Sequence, residues 1–504
     1  MSSNSICAVI TDETLAAARR SIQQAAAVAD LIEVRLDYLR DFDFSNPENL
    51  RSFLEVKSQP VILTCRSVEE GGKQHVDDAI RLRLLVEGAR QLADFCDIEA
   101  AHYEAAATLA PDPSRLIVSY HNLTETPSDL DAIYDRLSGL PAAIHKIATR
   151  ARSITDTLAI FKLLARARSE GRNLIALAMG EAGIITRVLG PAYGGFLTYG
   201  SLAAGEGSAP GQLTCEELRE VYRVHGISRD TVITGIIGGK VAHSLSPVMH
   251  NRAFAALDLD FVYLPIEVDD LDGFFRRFVR AESRELGWNL RGLSVTIPHK
   301  VSVTRLLDRL DETARRVGAV NTVVVEDGGL AGYNSDVHGA IAPLERVCAL
   351  EGRLCGVIGA GGAARAVVYG LLSRGARVTV FTRDPKKGAA LGESFGVEVE
   401  PLASLESSEV EIVINTTPVG MRGHSEGTSP VSRSALRGRR VVYDLIYTPL
   451  ETRFLADAKA EDCQMINGLE MLAVQAEAQF ELWTGRKPPD SLMEKAALES
   501  ITAR

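Results

Sequence analysis

The chain has 504 residues, of which 46% are hydrophobic and 24% charged. At that length roughly two or three domains with sizeable cores are expected, and a disordered chain, a collagen or a disulfide-stapled miniprotein is excluded. With 55 Lys and Arg against 66 Asp and Glu, the net charge of −11 argues against a general nucleic-acid binder.

Seven Cys are scattered without a C-x-x-C pair, which points to reduced thiols and to no structural metal site. No apolar run reaches the ~18 residues of a transmembrane helix. The start Met1–Ser5 is short and polar, and a strand-like segment follows at once. No signal or transit peptide is recognised there, so a cytoplasmic protein is expected.

Residues 1–200 show eight apolar runs alternating with Ala- and Leu-rich helical stretches. The runs are 7–10, 30–37, 61–66, 95–100, 116–121, 143–148, 174–179 and 196–201. Strands alternating with helices imply parallel pairing, and eight such units predict an N-terminal (β/α)8 TIM barrel. In the second run Leu31, Glu33, Arg35 and Asp37 share one face, while Ile32, Val34 and Leu36 share the other. The charged face is expected to point into the barrel mouth. Other runs end in Arg66, His121 and Lys146, where barrel active sites lie. A Gly- and Pro-rich stretch follows at 203–212, then an expected helix over 215–225, closing a first domain of 1–225.

A second α/β unit opens at 231–237 and continues through strands at 261–266 and 292–297. A third opens at 354–365, with strands at 377–384, 411–417 and 440–447. This is a doubly wound, Rossmann-like pattern. The expected division is a substrate-binding domain over 232–333, completed by 468–504, and a nucleotide-binding domain over 334–467.

Lys146 lies inside an apolar strand in step with Ile144 and Ala148, which is unusual for a Lys. A Lys there can attack a ketone, and His121 is a natural general acid/base. Arg35, Arg66 and Arg187 cannot all be buried without anions; Glu33, Asp37 and Glu70 take part of that charge and a substrate carboxylate the rest. These residues predict imine chemistry on a small, hydroxylated keto acid.

The segments E-V-R-L-D (33–37), C-R-S-V-E-E-G-G (65–72), S-Y-H-N (119–122), H-K-I-A (145–148), T-R-V-L-G (186–190) and S-A-P-G-Q (208–212) resemble type I 3-dehydroquinate dehydratase, over about 1–215. The resemblance implies a Schiff base on Lys146, general acid/base action by His121 and orientation of that His by Glu70. It also implies substrate contacts from Arg187, Ser208 and Gln212, with Glu33, Arg35 and Arg66 as further ligands.

In the third unit, G-A-G-G-A-A-R (359–365) fits G-x-G-x-x-A through Gly359, Gly361 and Ala364, and it joins a strand to a helix as the motif requires. Its backbone can approach a pyrophosphate at the helix N-terminus. The next strand ends in Thr382, Arg383 and Asp384; Arg383 suits a 2′-phosphate, supported by Lys386 and Lys387, so NADP is preferred, while Asp384 leaves NAD open. Upstream, Lys300 and Asp336 offer a pair for proton transfer to and from a hydroxyl, with the base of the two left open.

The segments A-H-S-L-S-P-V-M-H-N (242–251), V-T-I-P-H-K (295–300), G-A-V-N-T (318–322), G-Y-N-S-D (332–336), G-A-G-G-A-A-R, N-T-T-P-V-G-M (415–421) and N-G-L-E-M-L-A-V-Q-A (467–476) resemble shikimate dehydrogenase, over about 232–488. The resemblance implies shikimate contacts from Ser244, Ser246, Thr296, Asn321, Tyr447 and Gln475, and a catalytic pair of Lys300 and Asp336. Along NADP(H) it implies Gly359, Ala360, Gly361, Gly362, Ala363, Thr382, Arg383, Thr417, Met421 and Gly468. Two departures stand out: N-S-D replaces the usual N-T-D and keeps the hydroxyl, and Thr382 replaces a common Asn. Two Ser in H-S-L-S-P favour shikimate over quinate.

The halves match consecutive reactions of the shikimate pathway, dehydration of 3-dehydroquinate and NADPH reduction of 3-dehydroshikimate, so the chain resembles the bifunctional dehydratase–dehydrogenase family. Small-molecule partners are expected, without nucleic acid or membrane. A binding module built on the same domains is the competing reading; retention of Lys146, His121, Lys300 and Asp336 speaks for the enzyme.

Overall fold

The computed structural model describes residues 4–46, 48–326, 329–423 and 425–502; the expected start Met1–Ser5 and closing segment 468–504 lie partly outside these. Two compact units are present, Met1–Val232 with Leu264–Asn289, and Ile233–Tyr263 with Leu290–Arg504.

The first unit holds eight parallel strands: β1 (Ser5–Ile10), β2 (Leu31–Arg35), β3 (Val61–Thr64), β4 (Phe95–Glu99), β5 (Leu116–His121), β6 (Ile144–Arg150), β7 (Leu174–Met179) and β8 (Leu197–Gly200). They run in the order β7-β6-β5-β4-β3-β2-β1-β8. An isolated bridge between Leu174 and Gly195, with Phe196 N–H donating to the Leu174 carbonyl at 2.9 Å, brings the two edges together. The (β/α)8 barrel expected from the spacing is therefore present.

Strand periodicity positions the site. Alternate residues face the barrel axis, and the inward positions change character along each strand. Apolar residues such as Leu31, Ile62, Ile117, Ile144 and Ile175 pack together in the interior. The next inward positions are Glu33, Asp97, Ser119 and Lys146, and beyond them come Arg35, Glu99 and His121. The outward residues Ile32, Val34, Leu63, Val118 and Ile147 are buried beneath the surrounding helical layer. The helix expected over 215–225 is shorter than the periodicity suggested. A π turn spans Glu217–Val221, and Arg223, with φ of 52°, breaks the backbone before a single 3-10 turn at Val224–Gly226.

From Val232 onward the chain forms two further sheets. One contains β9 (Val232–Gly238), β10 (Phe261–Glu267), β11 (Asn289–Val295), β12 (Arg309–Leu310), β13 (Thr322–Glu326) and β14 (Gly329–Tyr333), in the order β10-β9-β11-β13-β14-β12. Its core joins Met249, Ala253 and Phe254 of the helix Ser246–Ala256 to Phe480 and Trp483 of Gly468–Thr484 and Met493 of Leu492–Thr502. The other contains β15 (Leu354–Ile358), β16 (Arg377–Thr382), β17 (Glu398–Pro401), β18 (Ile412–Asn415), β19 (Val441–Asp444) and β20 (Gln464–Ile466). It is parallel throughout, in the order β17-β16-β15-β18-β19-β20. That is the dinucleotide-binding order, with the reversal between β15 and β18, where such sheets open their ligand crevice.

Candidate active sites

In the barrel, nine of the residues singled out from the sequence line one cavity of about 300 Å³: Glu33, Arg35, Arg66, Glu70, His121, Lys146, Arg187, Ser208 and Gln212; Asp37 lies behind it, bound to Arg35. Lys146 is buried, and its Nζ donates to Asp97 Oδ2 at 2.9 Å and to Glu33 Oε2 at 3.3 Å. It also stands 4.5 Å from the centre of the Tyr199 ring. Arg66 donates to Asp97 at 2.8 Å, Glu99 at 3.2 Å and Ser119 Oγ at 2.8 Å; Ser119 in turn donates to Asp97 at 2.6 Å. Arg81 completes the network with a 2.7 Å contact to Glu99. Arg35 is held by a two-pronged contact with Asp37, at 2.9 and 2.8 Å.

Asp97, Glu99, Ser119 and Arg81 were not singled out from the sequence. The signal was present in the parity of F-C-D-I-E, which puts Asp97 and Glu99 on the inward face of β4. They matter because buried charges are tolerated only when paired and hydrogen-bonded. Burial by itself would raise the Asp97 carboxyl, but Arg66 and Lys146 overcome it and hold the group well below the usual carboxylate range.

His121 accompanies the network without an ion pair to it. Glu70 Oε2 lies 2.8 Å from its Nδ1 and accepts its backbone N–H at 3.0 Å. Burial, then the charges of Arg66 and Lys146, push the imidazole well below its ordinary range, so it is neutral near pH 7. Burial pushes Glu70 up to about 7, against the pull of Arg66. With Nδ1–H donated to Glu70, Nε2 is the nitrogen that keeps its lone pair.

Arg187 is buried, and its Nε and Nη2 have no hydrogen-bond partner; Gln212 Nε2 is likewise unpaired. Burial pushes Arg187 down to about 10. An unsatisfied buried donor costs about 1–3 kcal/mol, more when charged, so this corner of the cavity is built for an acceptor. The loop bearing Ser208 and Gln212 is pinned across the mouth, where Gly180 N–H donates to the Pro210 carbonyl at 2.9 Å. Within it, Ser208 donates to Gln212 Oε1 through its N–H and its hydroxyl.

In the second unit, Lys300 Nζ donates to Asp336 Oδ2 at 2.5 Å. Asp336 is buried, and Asn321 Nδ2 donates to its Oδ1 at 2.9 Å and to Gln475 Oε1 at 3.3 Å. Four sequence-singled residues, 300 to 475, thus form one connected group. Ser244 and Ser246 form another, with the Ser246 N–H donating to Ser244 Oγ at 3.2 Å. Thr296 follows β11 beside Gly238, where a Cβ would fall 2.5 Å from its methyl. Tyr447 is half-buried and packs against the core of the first sheet.

The glycine-rich turn fits a dinucleotide. Gly359 has φ of 109°, and a Cβ there would fall 2.7 Å from Thr416 Oγ1 and 2.9 Å from Thr417 Cγ2. Gly361 faces open space, and Gly362 begins the helix Gly362–Leu372, whose first-turn N–H groups are free to meet an anion. Ala360 and Ala363 are half-buried on the same turn. At the end of β16, Thr382 is buried with its hydroxyl unpaired, Arg383 is exposed, and Asp384 caps the next helix by accepting from Lys386 N–H at 3.1 Å. Thr417 is half-buried and Met421 exposed on the loop after β18. Gly468 packs against Leu445 and Ile446 and donates its N–H to the Ile446 carbonyl at 3.0 Å.

Residues 6–229 match the family model of type I 3-dehydroquinase. Residues 236–323 match the shikimate dehydrogenase substrate binding domain, and 468–498 the shikimate 5′-dehydrogenase C-terminal domain. Residues 355–424 match the model named NADP oxidoreductase coenzyme F420-dependent. The chloroplastic bifunctional 3-dehydroquinate dehydratase/shikimate dehydrogenase of Arabidopsis thaliana is 36% identical over 490 residues, covering 92% of this chain and 79% of that protein. This chain belongs to the bifunctional 3-dehydroquinate dehydratase/shikimate dehydrogenase family.

The dehydrogenase half has relatives of its own. The shikimate dehydrogenase (NADP+) of Citrifermentans bemidjiense is 42% identical over 290 residues, covering 55% of this chain and 98% of that protein. A crystal structure of shikimate dehydrogenase in complex with NADP+ aligns at 37% identity and a TM-score of 0.50, covering 55% of this chain and 97% of that one. No described helix is long and apolar enough to cross a membrane.

Proposed function

We propose that the two halves of this bifunctional enzyme act in series. The barrel dehydrates 3-dehydroquinate to 3-dehydroshikimate, and the second unit reduces 3-dehydroshikimate to shikimate with NADPH. The observation that carries the reading is the pairing of two complete sites in one chain: Lys146 with His121 over an unpaired Arg187, and Lys300 with Asp336 beside a dinucleotide turn.

In the dehydratase, Lys146 forms an imine with the substrate ketone and releases water. Before it attacks, the ammonium must lose a proton, and neutral His121 lines the same cavity as an acceptor. The protonated imine is a better electron sink than the ketone, so the adjacent C–H becomes acidic. His121 Nε2 takes that proton, Glu70 steadies the ring through Nδ1, and the β-hydroxyl leaves as water when the proton is returned to it; a water then hydrolyses the imine, which releases 3-dehydroshikimate and regenerates Lys146. Arg187 and Gln212 are assigned to the substrate carboxylate, and Arg35, Glu33 and Ser208 to its hydroxyls. Arg66 lines the cavity too, but its bonds to Asp97, Glu99 and Ser119 make it chiefly the clamp that orients Asp97 toward Lys146.

In the dehydrogenase, NADPH supplies the hydride. Gly359 to Ala363 accommodate its pyrophosphate, Thr382 and Arg383 its adenosine 2′-phosphate side, and Thr417, Met421 and Gly468 its nicotinamide side. Ser244, Ser246, Thr296, Asn321, Tyr447 and Gln475 are assigned to the substrate. Lys300 and Asp336 exchange the proton with the oxygen that becomes the hydroxyl, while Asn321 holds Asp336 in place.

The proposed division is a dehydratase domain over 1–225, a substrate-binding domain over 232–333 with 468–504, and an NADP domain over 334–467. Seven unpaired, buried cysteines support a reducing compartment, such as the cytoplasm. One experiment tests the whole reading: purified protein with 3-dehydroquinate and NADPH. NADPH consumption with shikimate formation supports both sites. Accumulation of 3-dehydroshikimate without NADPH consumption would sink the dehydrogenase assignment, and no conversion at all would sink the dehydratase.

A further inference from the structure

Asp444 is a buried carboxylate that the mechanism above does not use. It ends β19, has no accessible surface, and stands opposite Asn415, the last residue of β18. Its bonds are to neutral donors: Oδ1 accepts from Asn415 Nδ2 at 3.0 Å and from Ile446 N–H at 3.1 Å, and Oδ2 accepts from the Thr452 hydroxyl at 2.6 Å. Burial pushes its carboxyl up to about 6, so holding it ionised costs the fold energy. A carboxylate is the side chain of this size that offers two acceptor oxygens and no competing donor.

The donors belong to two different loops. Asn415 starts the loop that carries Thr417 and Met421, and its Oδ1 accepts from both Thr417 N–H at 3.0 Å and Thr417 Oγ1 at 2.7 Å. Ile446 and Thr452 bracket the loop that carries Tyr447. The same second loop is tied to Gly468, at the head of the helix bearing Gln475, and its Thr448 carbonyl accepts from Arg422 N–H at 2.9 Å. One buried pair therefore sits at the root of both the cofactor-side loop and the substrate-side loop.

We propose that Asn415 and Asp444 are positioning residues that couple the NADP(H) subsite to the shikimate subsite, by fixing the Thr417 loop against the Tyr447 loop. The proposal rests on the dehydrogenase reading above. The pair ties the two loops into one unit, so a ligand that favours the bound arrangement of one loop favours that of the other. The coupling is reciprocal, as any such linkage must be.

The test is equilibrium binding to the full chain by calorimetry: NADP+ alone, shikimate alone, and each with the other saturating. In the wild type each ligand tightens the other. In Asp444→Asn one of the two acceptor oxygens is replaced by an N–H₂ and the charge is lost, and the mutual tightening falls by about tenfold, the scale of coupling within one hydrogen-bond network. The exchanged pair, Asn415→Asp with Asp444→Asn, restores the bond between the two side chains with reversed polarity but not the one from Ile446 N–H, and recovers part of the coupling. Dehydratase kcat/KM, read in the same samples, is unchanged and reports intact, correctly counted protein. Should Asp444→Asn fail to fold, Thr452→Val removes one of the three donors and lowers the coupling by a smaller factor. A lowered melting temperature with undiminished coupling would overturn the proposal in favour of a purely structural pair, as would a wild type in which the two ligands bind independently. A wild type that binds neither ligand would overturn the dehydrogenase reading itself.

Discussion

The two sites solve the problem of placing charge in different ways. Around its Lys the barrel site is densely paired: Lys146, Arg66, Arg81, Glu33, Asp97 and Glu99 form a continuous buried network of ion pairs, with Arg187 left unpaired beside it. In the dehydrogenase site Lys300 pairs with Asp336, and much of the cofactor side, including Gly361, Arg383 and Met421, is exposed. Glu33, Asp97, Glu99 and Lys146 are held by the strands that supply them, and Arg66 and Arg81 are locked onto them from the end of β3 and from the helix Asp78–Gln91, so the barrel site is pre-organised. The other site is drawn from turns and helix ends and is organised by hydrogen bonds between loops. Pre-organised charge is worth most where water is excluded, which suits imine chemistry. An open cleft suits a large cofactor that must come and go.

The largest test of this contrast is Lys146→Ala. It should lower dehydratase kcat/KM by at least about a thousandfold, as loss of a covalent nucleophile does, and leave shikimate oxidation unchanged. Loss of both activities would show that the sites are not independent. Asp97→Asn comes next. It leaves Arg66 and Lys146 short of a buried counter-charge and should destabilise the barrel by about 3–5 kcal/mol, read by denaturant unfolding. A cost near zero would mean that the network is not tightly coupled.

The pH dependence sharpens the comparison further. Burial places Glu70 at about 7, and its carboxylate form is the stronger acceptor for the His121 Nδ1–H and the form that stabilises a charged imidazolium. Dehydratase kcat/KM should therefore fall toward tenfold per unit as pH drops below about 7. Glu70→Gln should start lower and lose that limb; a limb that persists in the variant belongs to another group. Arg383→Ala should give the smallest effect. A charged hydrogen bond to an exposed phosphate predicts an NADPH KM about five- to tenfold higher, with NADH little changed. Equal weakening of both would show that Arg383 does not read the 2′-phosphate.

Much of the barrel site was legible because a strand has a period of two. E-V-R-L-D and A-I-H-K-I-A reveal by parity alone that Glu33, Arg35 and Lys146 face inward. Asp97 and Glu99 obey the same parity and were missed, because nothing in the segment around them says which cation they meet. The glycine turn was legible for a similar reason: a strand, a G-x-G-x-x-A and a helix form a local unit. The Asn415–Asp444 pair was not, since its two residues lie 29 positions apart and become neighbours only through β18–β19 pairing. The 215–225 helix failed for a local reason, as Arg223 takes a left-handed backbone that ends the run.

By itself the sequence determined the local quantities: strand parity, the barrel count, the turn chemistry at Gly359, and the order of motifs that marks the two activities. Those follow from side-chain alternation and from backbone needs within a few residues. Only the tertiary structure decided which charges neutralise one another, that Arg66 is committed to Asp97 and Glu99, that Arg187 is left without a partner, and that Asn321 joins Asp336 to Gln475 across 154 positions. Pairing of buried charges depends on strand register and sheet closure, which are set by the packing of the whole chain, and no local window contains them.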